Sequence, residues 1–481
     1  MISPTIVWLR RDLRLKDNPA LCAAAARGGA VIPVYIWTPG EEAPWAPGGA
    51  GKWWLHHSLA ALAKSLAKLK IPLVIRRGGA LAALRQVISE TGASAVHWNR
   101  LYDPHTIPRD TAVKAALRAD GIEAESHASA LLFEPHLVEK QAGGPFQVFT
   151  PFWKQIQSLD DPPEPLAIPA LKRHTAPVES LALEDLKLLS PIDWAGGMRA
   201  AWRPGEEGST EQLARFVSAA IDGYAENRNR PDIAGTSRLS PYLHFGEITP
   251  RAIWHFAKAA IHRSSKAEAR ASAWAFLREL GWREFNHHLL YHFPTTDRLP
   301  LRKDFERFPW REDAVALRAW QRGQTGYPIV DAGMRELWTT GWMHNRVRMI
   351  VASFLVKHLL IHWQEGAAWF WDTLVDADLA NNSAGWQWVS GCGADAAPYF
   401  RVFNPITQGE KFDPEGDYTR RWVPELAGLP TRNLFAPFDA PATELGGAGV
   451  VLGTDYPKPI VDHREGRERA LDAFATIRSR H

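Results

Sequence analysis

The chain has 481 residues, a length for which two or three domains are expected. Hydrophobic residues make up 46% of it and charged residues 23%, a composition that excludes a disordered or fibrous protein. Its 56 Lys and Arg residues against 53 Asp and Glu residues leave a formal net charge of +3. Any surface for a polyanion must therefore be a local patch.

The cysteine content and the N-terminus indicate the compartment. Cys22 and Cys392 are too few for a disulfide framework or a four-thiolate metal site, which favours a reducing cytoplasm. The N-terminal segment becomes charged at Arg10, and no uncharged apolar run approaches about 18 residues. We therefore expect a cytoplasmic protein that does not associate with a membrane.

Residues 1–132 are predicted to form an α/β domain. The runs that predict buried strands are TIVWLRR, VIPVYIW, PLVIRR, SAVHWNR and IEAESH. Ala-rich helical stretches lie between them, so we expect right-handed crossovers and one doubly wound, Rossmann-like parallel sheet. Because no G-x-G-x-x-G follows the first strand, a nicotinamide dinucleotide site there is not favoured.

After residue 132 the residue pattern of the chain changes twice. Residues 133–205 include the Pro-rich stretch DDPPEPLAIPALKRHTAPVE and lack sustained periodicity, which predicts a long linker running over the surface. From residue 206 to 481 the pattern is helical with intervening turns, and we expect an all-α domain.

Common hydrolytic signatures are missing from the sequence. It contains no H-E-x-x-H, G-x-S-x-G, P-loop or C-x-x-C motif, which argues against zinc proteolysis, esterase chemistry and nucleoside triphosphate hydrolysis. The adjacent pairs His56–His57 and His287–His288 point in different directions on a helix, so no metal site is expected. The chain is instead rich in tryptophan, with 22 residues that could serve stacking or electron transfer.

One predicted helix carries three residues suited to a flat polar ligand. Glu279, Trp282 and Arg283 are spaced i, i+3 and i+4 and share a helical face. A carboxylate, an indole and a guanidinium side by side would stack on and hydrogen-bond such a ligand. The same spacing also suits an intrahelical ion pair beside a core tryptophan, and the residues alone leave both interpretations open.

Three more segments carry similar chemistry, each with a structural alternative. Asn345 and Met349 lie one turn apart beside basic residues, which also suits a solvated helix face. The stretch DADLANNSAGWQWVSG combines acids, amides and indoles around a possible cofactor, or else forms a Trp-rich core. Residues 235–248, GTSRLSPYLHFGEI, offer hydroxyl and backbone donors for a diphosphate, although Ser-rich turns before helices are common.

Taken together, these segments resemble the DNA photolyase and cryptochrome family over more than 400 residues. The resemblance rests, in family order, on IVWLRRDLRLKDNPAL, GTSRLSPYLHFGEI, WREF, TGYPIVDAGMRELWTTGWMHNRVRM, DADLANNSAGWQW and PYFRVFNPITQGEKFDPEG. It implies an α/β antenna domain followed by a helical domain that binds FAD. It further implies that light excites the reduced flavin, which donates an electron to a pyrimidine dimer in UV-damaged DNA.

Positions matching the family motifs imply a set of cofactor-binding residues. These are Tyr224, Thr236, Ser237, Arg238, Leu239, Ser240, Phe276, Arg348, Asp376, Asp378 and Asn382. Asn382 would lie at flavin N5, where an amide can hydrogen-bond but cannot donate a proton as an acid can. The amide would therefore favour the electron-rich flavin anion. Phe276 departs from the Trp that many bacterial enzymes carry at this position.

The resemblance also implies a lesion pocket, DNA contacts and an electron relay. The lesion pocket would be formed by Glu279, Trp282, Asn345, Met349 and Trp388, and these residues and Asn382 are the expected catalytic residues. Arg228, Arg346 and Arg401 would contact phosphates, alongside the stacking indoles Trp282 and Trp388. Trp386, Trp363 and Trp310 match the tryptophans that reduce the flavin from the surface.

The antenna chromophore is expected to be 5,10-methenyltetrahydrofolate, with 8-hydroxy-5-deazaflavin as the alternative. Trp37 and Asp103, at or just after predicted strand ends, are the expected contacts. The common enterobacterial folate site uses an Asn-Glu pair where this chain has His105 and Thr106. That folate geometry is therefore not expected here.

Within the family, the pattern resembles the class III cyclobutane pyrimidine dimer photolyases of bacteria. Plant cryptochromes, blue-light receptors without repair activity, are the alternative, but they carry an acid at the position of Asn382 and lack Trp at 282 and 388. The (6-4) photolyases need protonatable histidines where this chain has Asn345 and Met349. Family likeness implies a monomer with no obligate protein partner.

Overall fold

The computed structural model describes residues 2–396 and 400–478. Within these residues, five parallel strands form one sheet in the order β3-β2-β1-β4-β5. The strands are β1 (Thr5–Leu9), β2 (Val31–Trp37), β3 (Val74–Arg77), β4 (Ala95–Asn99) and β5 (Glu123–His127). The predicted strands and the doubly wound parallel sheet are confirmed.

Helices separate successive strands, as the alternation predicts. They are α1 (Pro19–Ala26), α2 (Gly49–Lys68), α3 (Ala80–Thr91) and α4 (Thr106–Ala119). Asn18 caps α1 by accepting a hydrogen bond from the backbone N–H of Leu21, and Pro19 occupies the first turn. Gly92 ends α3 at φ 64°, a left-handed conformation that glycine adopts without steric cost.

The two faces of the sheet bury different cores. Ile6 and Trp8 of β1 pack into a cluster with Leu84 and Leu117 from α3 and α4. Val7 and Leu9, which alternate with them, pack into a larger core that continues into the helical part of the chain. Because side chains alternate along a strand, one short strand can serve both cores.

The segment after the sheet differs from the expected surface linker. It contains α5 (Phe149–Ser158) and α6 (Gly196–Ala201). Phe149, Phe152, Trp153 and Ile156 are buried and lie on one face of α5. The prediction of a surface connection without helical periodicity is wrong here, because a single apolar face at helical spacing drives α5 into the core.

The C-terminal part is helical, as predicted. Its helices are α7 (Glu206–Ala219), α8 (Tyr224–Asn227), α9 (Ser240–His244), α10 (Pro250–Arg263), α11 (Ala267–His292), α12 (Ala314–Gln321), α13 (Pro328–Thr340), α14 (Asn345–Ser353), α15 (Trp363–Thr373), α16 (Leu379–Ser390), α17 (Pro405–Phe412), α18 (Asp417–Trp422), α19 (Thr431–Leu434), α20 (Ala442–Gly447) and α21 (His463–Arg478). None of the helices described is long and apolar enough to cross a membrane.

A buried carboxyl joins the α/β part to the helical part. Both carboxyl oxygens of Glu247 lie 3.2 Å from the indole nitrogen of Trp54 on α2. The backbone N–H of Gly205 donates to the same carboxyl at 2.7 Å. Burial raises the pKa of Glu247 to about 8, because ionisation in this enclosed site loses hydration. The contact between the two parts is therefore sensitive to pH.

We predict that Glu247→Gln reduces the loss of stability between pH 5 and pH 8. The folded-state pKa of Glu247 lies above the ordinary value of 4.5, so the folded protein binds more protons than the unfolded chain across this interval. Stability supplied by the protonated carboxyl is therefore lost as pH rises. The glutamine of the variant cannot ionise. Relative to the wild-type protein, the free energy of unfolding of the variant should therefore rise by on the order of 2 kcal/mol between pH 5 and pH 8, as measured by urea titration.

Glu207→Gln is the matched control, because Glu207 is exposed and pairs with Lys68 on the surface. Its pH profile of unfolding should follow that of the wild-type protein. If the free energies of unfolding of Glu247→Gln and the wild-type protein differ by the same amount at pH 5 and at pH 8, the prediction is contradicted.

Candidate active site

A cavity of about 600 Å³ opens among the helices of the C-terminal part. Many of the residues singled out by the sequence line it. They are Tyr224, Arg228, Ser237, Leu239, Ser240, Phe276, Glu279, Trp282, Asn345, Arg346, Arg348, Met349, Asp376, Asp378, Asn382, Trp386 and Trp388. Its volume lies in the range of pockets for small molecules and cofactors. Residues separated by more than 160 positions thus meet around one space.

Thr236, Arg238, Trp363, Trp310 and Arg401 are not among the described residues that line this cavity. The guanidinium of Arg238 lies over the Trp202 ring at 4.2 Å and the Trp342 ring at 5.0 Å. Arg238 therefore does not line the cavity itself but lies over Trp342, which does.

An ion pair lies at the deep end of the cavity. Arg348 on α14 donates from Nη2 to Asp376 Oδ2 at 2.8 Å and from Nε to the Met343 carbonyl at 2.8 Å. The other carboxyl oxygen, Asp376 Oδ1, is buried and has no hydrogen-bond partner within the described structure. An acceptor of this kind is suited to an N–H or O–H donor of a bound ligand. Together with the lining rings of Phe276 and Trp386, it fits a flavin cofactor.

Asp378 stabilises the start of α16 and anchors two histidines. Its Oδ1 accepts from the backbone N–H of Asn381 at 2.9 Å, which caps the helix. His244 and His287 each place a ring nitrogen 3.5 Å from its other oxygen. Although burial opposes ionisation, the His287 and His244 contacts hold the pKa of Asp378 well below its usual range. The carboxylate therefore keeps its negative charge at the edge of the cavity.

The orientation of Asn382 is set by the backbone of a neighbouring helix. Its Nδ2 donates to the carbonyl of Ala367 on α15 at 3.0 Å. With the amide nitrogen engaged there, the amide oxygen is left as the acceptor for a ligand. The side chain therefore presents a neutral acceptor to the cavity.

Two tryptophans near the mouth of the cavity have partners that sequence analysis missed. Trp282 stacks on Phe149 of α5 with ring centroids 3.7 Å apart and planes inclined by 6°. Trp388 donates from Nε1 to the carbonyl of Asp395 at 3.2 Å. The Asp395 carboxylate accepts in turn from the backbone N–H of Phe149. Phe149 and Asp395 thus link the two indoles, and only the apolar periodicity of α5 could have indicated Phe149.

Charged residues at the mouth pair across different helices. Glu279 pairs with Arg228 of the turn after α8, and both side chains are half-buried. Arg283, which spacing grouped with Glu279, instead donates to the Ala130 carbonyl at 2.9 Å. Arg346 donates to Asn229 Oδ1 at 2.7 Å. The intrahelical pair that spacing allowed between Glu279 and Arg283 is therefore not formed, and Glu279 lines the cavity paired with Arg228.

The three predicted relay tryptophans differ in their relation to the cavity, because Trp363 and Trp310 are not among its described lining residues. Trp386 lines the cavity, and the Cβ of an alanine at Gly366 would lie 2.0 Å from its ring, so glycine is needed for this packing. The His362 ring contacts both of the other two, with centroids 5.7 Å from Trp363 and 5.0 Å from Trp310. His362 was not singled out by the sequence.

The two predicted antenna residues border a second, smaller cavity of about 50 Å³ at the carboxyl ends of the strands. Trp37 ends β2, and Asp103 follows β4 and is ion-paired with Arg11. Trp45 and Trp371 from the two parts of the chain also border it, with ring centroids 5.3 Å apart. The structure thus brings Trp37 and Asp103 together at the interface.

Comparison with known proteins relates the chain to one family. A model described as DNA photolyase matches residues 5–170, and one described as FAD binding domain of DNA photolyase matches residues 276–476. The deoxyribodipyrimidine photo-lyase of Agrobacterium fabrum is 52% identical over 99% of this chain and 98% of its own length. Cryptochrome-2 of Arabidopsis thaliana is 43% identical over 99% of this chain and 80% of its own length.

Solved structures agree with the sequence comparisons. A bacterial class III photolyase from Agrobacterium tumefaciens superposes with a TM-score of 0.95 at 51% identity, covering 100% of this chain and 98% of the other. A cryptochrome from Synechocystis superposes with a TM-score of 0.88 at 31% identity, covering 98% and 99%.

We predict that two carboxylates of the cavity contribute unequally to stability. The Asp376 side chain is 3% exposed, and removing its charge in Asp376→Asn should cost about 2 kcal/mol of unfolding free energy by leaving Arg348 uncompensated. Glu279 and Arg228 are 26% and 27% exposed, so Glu279→Gln should cost less than about 1 kcal/mol. Urea unfolding of both variants gives the comparison. Equal losses of unfolding free energy in the two variants would contradict the prediction.

Proposed function

Because the chain belongs to the DNA photolyase and cryptochrome family, we propose that it is a photolyase that splits cyclobutane pyrimidine dimers in UV-damaged DNA by light-driven electron transfer. The supporting observation is that one cavity joins a flavin-compatible floor to a mouth lined by two tryptophans. A reduced FAD bound there would supply the blue-light absorption and the electron that the splitting of the dimer needs, and this electron would return once the ring has opened. The protein residues bind and orient the cofactor and the dimer, and they exclude water from the cavity.

Arg348 and Asp376 would orient the cofactor at the floor. Their ion pair leaves Asp376 Oδ1 as a buried acceptor, and a ligand donor there removes the cost of an unsatisfied carboxyl oxygen. Tyr224, Phe276 and Ser240 line the cavity and supply ring and hydroxyl contacts. Asn382, held by Ala367, would place its amide oxygen at flavin N5 without an acidic proton.

Trp282 and Trp388 would flank a dimer turned out of the duplex. Extrusion costs a few kcal/mol and costs least for a damaged pair that stacks poorly, while aromatic stacking returns about 1–3 kcal/mol per base. The stack on Phe149 stiffens Trp282, and the Asp395 hydrogen bond orients Trp388. Asn345 and Met349 on α14 line the same cavity and would contact the dimer there.

The Glu279–Arg228 pair would exchange partners when DNA binds. Without DNA, the guanidinium satisfies the carboxylate at the mouth. A phosphate can take over Arg228, and a pyrimidine N–H can donate to Glu279, so neither charge is left unpaired. Arg346 and Arg401 would add phosphate contacts on the same side. The exchange couples recognition of the strand to recognition of the dimer.

A light-harvesting chromophore would lie at the interface between the sheet and the helices. Methenyltetrahydrofolate is the first choice and a deazaflavin the second. Trp37, Trp45 and Asp103 border the interface cavity and offer aromatic and acidic contacts for a ring with N–H donors. Because the cavity is only about 50 Å³, its side chains must separate to admit such a ring.

We predict that Trp282→Ala weakens binding to dimer-containing DNA about tenfold or more and leaves binding to undamaged DNA nearly unchanged. The lost indole contacts the extruded base and not the duplex. Competition gel shifts measure both affinities, and an illuminated repair assay with a dark control measures dimer loss. Trp338→Ala is the control, because this indole is 66% exposed on α13 and does not line the cavity.

Dimer loss in the dark, or dimers that persist under light with the wild-type protein, would refute the repair function. The second result would favour a blue-light receptor, the role of the plant relatives. Equal losses of affinity for damaged and undamaged DNA in Trp282→Ala would remove this residue from the lesion pocket.

We predict that Trp386→Phe abolishes photoreduction of oxidised flavin but preserves repair by chemically reduced protein. Trp386 would be the first donor from the protein to the flavin, and phenylalanine is much harder to oxidise. Absorption spectra during illumination with an external reductant measure the first effect. Trp98→Phe, a buried tryptophan in the sheet, is the control. Wild-type photoreduction in Trp386→Phe would contradict the relay.

A further inference from the structure

A second groove of about 500 Å³ lies beside the mouth of the main cavity, between α5 and α11. We call it the α5–α11 groove. It is lined by Trp153, Gln157, Arg228, Ala271, Trp274, Ala275, Arg278, Glu279 and Trp282. Arg228, Glu279 and Trp282 also line the main cavity, so the groove adjoins the mouth of that cavity through these three side chains.

The groove combines a small-residue floor with a fixed aromatic wall. Ala271, Ala275 and Arg278 follow at i, i+4 and i+7 on α11, and the two alanines leave room above the helix. The Trp274 indole packs edge-on against Trp254 with ring centroids 6.4 Å apart. Lys258 Nζ lies 5.2 Å from the Trp274 ring centroid. Trp274 is therefore held as a rigid wall with room for a flat ring beside it.

The charge of the groove is positive. Arg278 is exposed, lies 5.4 Å from the Phe149 ring centroid, and forms no hydrogen bond or ion pair with any residue in the described part of the chain. Glu279 is the one acidic residue among the described lining residues, and Arg228 neutralises it. The Asp395 carboxylate interacts electrostatically with Arg278 from outside the groove lining, and an anionic group that binds at Arg278 adds a charge-assisted contact to it.

We propose that the α5–α11 groove binds the unpaired nucleotide next to the dimer on the same strand, with its base against Trp274 and its phosphate at Arg278. This inference rests on the proposed repair function. An indole wall and a cation along one track are the features that hold single-stranded nucleic acid without reading its sequence. The position of the groove beside the lesion pocket favours a flanking nucleotide over an acidic peptide, because the nucleotides next to the dimer must lie near this mouth.

The experiment measures how affinity depends on nucleotides flanking the dimer. Single-stranded substrates carry a thymine dimer with no, one, two or three nucleotides added on its 5′ or 3′ side, and fluorescence competition gives each Kd. For the wild-type holoprotein, the first one or two nucleotides on one side should raise affinity about tenfold. Trp274→Ala should lose this step and retain the affinity for the bare dimer. Trp338→Ala, another partly exposed tryptophan, should keep the step.

Two exposed positions test the groove without disturbing the indole contacts. Ala271→Glu should abolish the affinity step by repelling the phosphate, whereas Ala271→Lys, of similar length, should preserve it. Arg278→Ala should flatten the log–log salt dependence by about 0.7, the slope expected for one phosphate on a single strand. If Trp274→Ala fails to fold or to retain flavin, the variants at Ala271 and Arg278 still test the proposal.

Absence of the step in the wild-type protein, or its persistence in both Trp274→Ala and Ala271→Glu, would overturn the proposal. An acidic peptide that competes equally well against wild-type protein and Trp274→Ala would also count against a nucleotide site. Failure of the wild-type protein to bind or repair any dimer would instead refute the repair function. Repair without a flanking-nucleotide step would refute the groove alone.

Discussion

The site depends on the packing of one long helix, α11, against the segment that follows the sheet. Glu284 on α11 accepts from the backbone N–H of Leu132 at 2.9 Å, and His288 Nε2 accepts from that of Phe146 at 3.0 Å. Burial raises the pKa of Glu284 to about 7, because the carboxyl is enclosed where the segments meet. These contacts fix the helix relative to the α/β part, and Trp282 is stacked on Phe149 just before them.

Residues one turn apart on α11 line two different spaces, the main cavity and the α5–α11 groove. Phe276 lies in the lining of the main cavity, Glu279 and Trp282 form its mouth, and Trp274 and Arg278 turn toward the adjoining groove. A helix presents these side chains at fixed angles, so one element can position cofactor, base and phosphate contacts together. The substrate therefore meets a surface whose arrangement precedes binding, which reduces the ordering cost of association.

Much of the site could be predicted because its residues occur in long, specific motifs. Asn345, Met349, Asp376, Asn382 and Trp388 were identified from the sequence, and the structure brings them to one cavity. Their roles in repair remain predictions. Other contributors carry no motif signal. Asp395 acts through its backbone carbonyl and a contact with the N–H of Phe149, and such contacts depend on the path of the chain and not on residue type.

The sequence by itself determined the five strands, the helices between them, the parallel sheet and the helical C-terminal part, because these follow from hydrophobic periodicity among near neighbours. Only the tertiary structure decided that Glu279 pairs with Arg228, 51 positions away, and not with Arg283, four positions away. Likewise, only the tertiary structure places Phe149 of α5 in a stack with Trp282. Local pattern specifies which face of an element is apolar, but the partner of each polar or aromatic side chain depends on which distant segment packs against it.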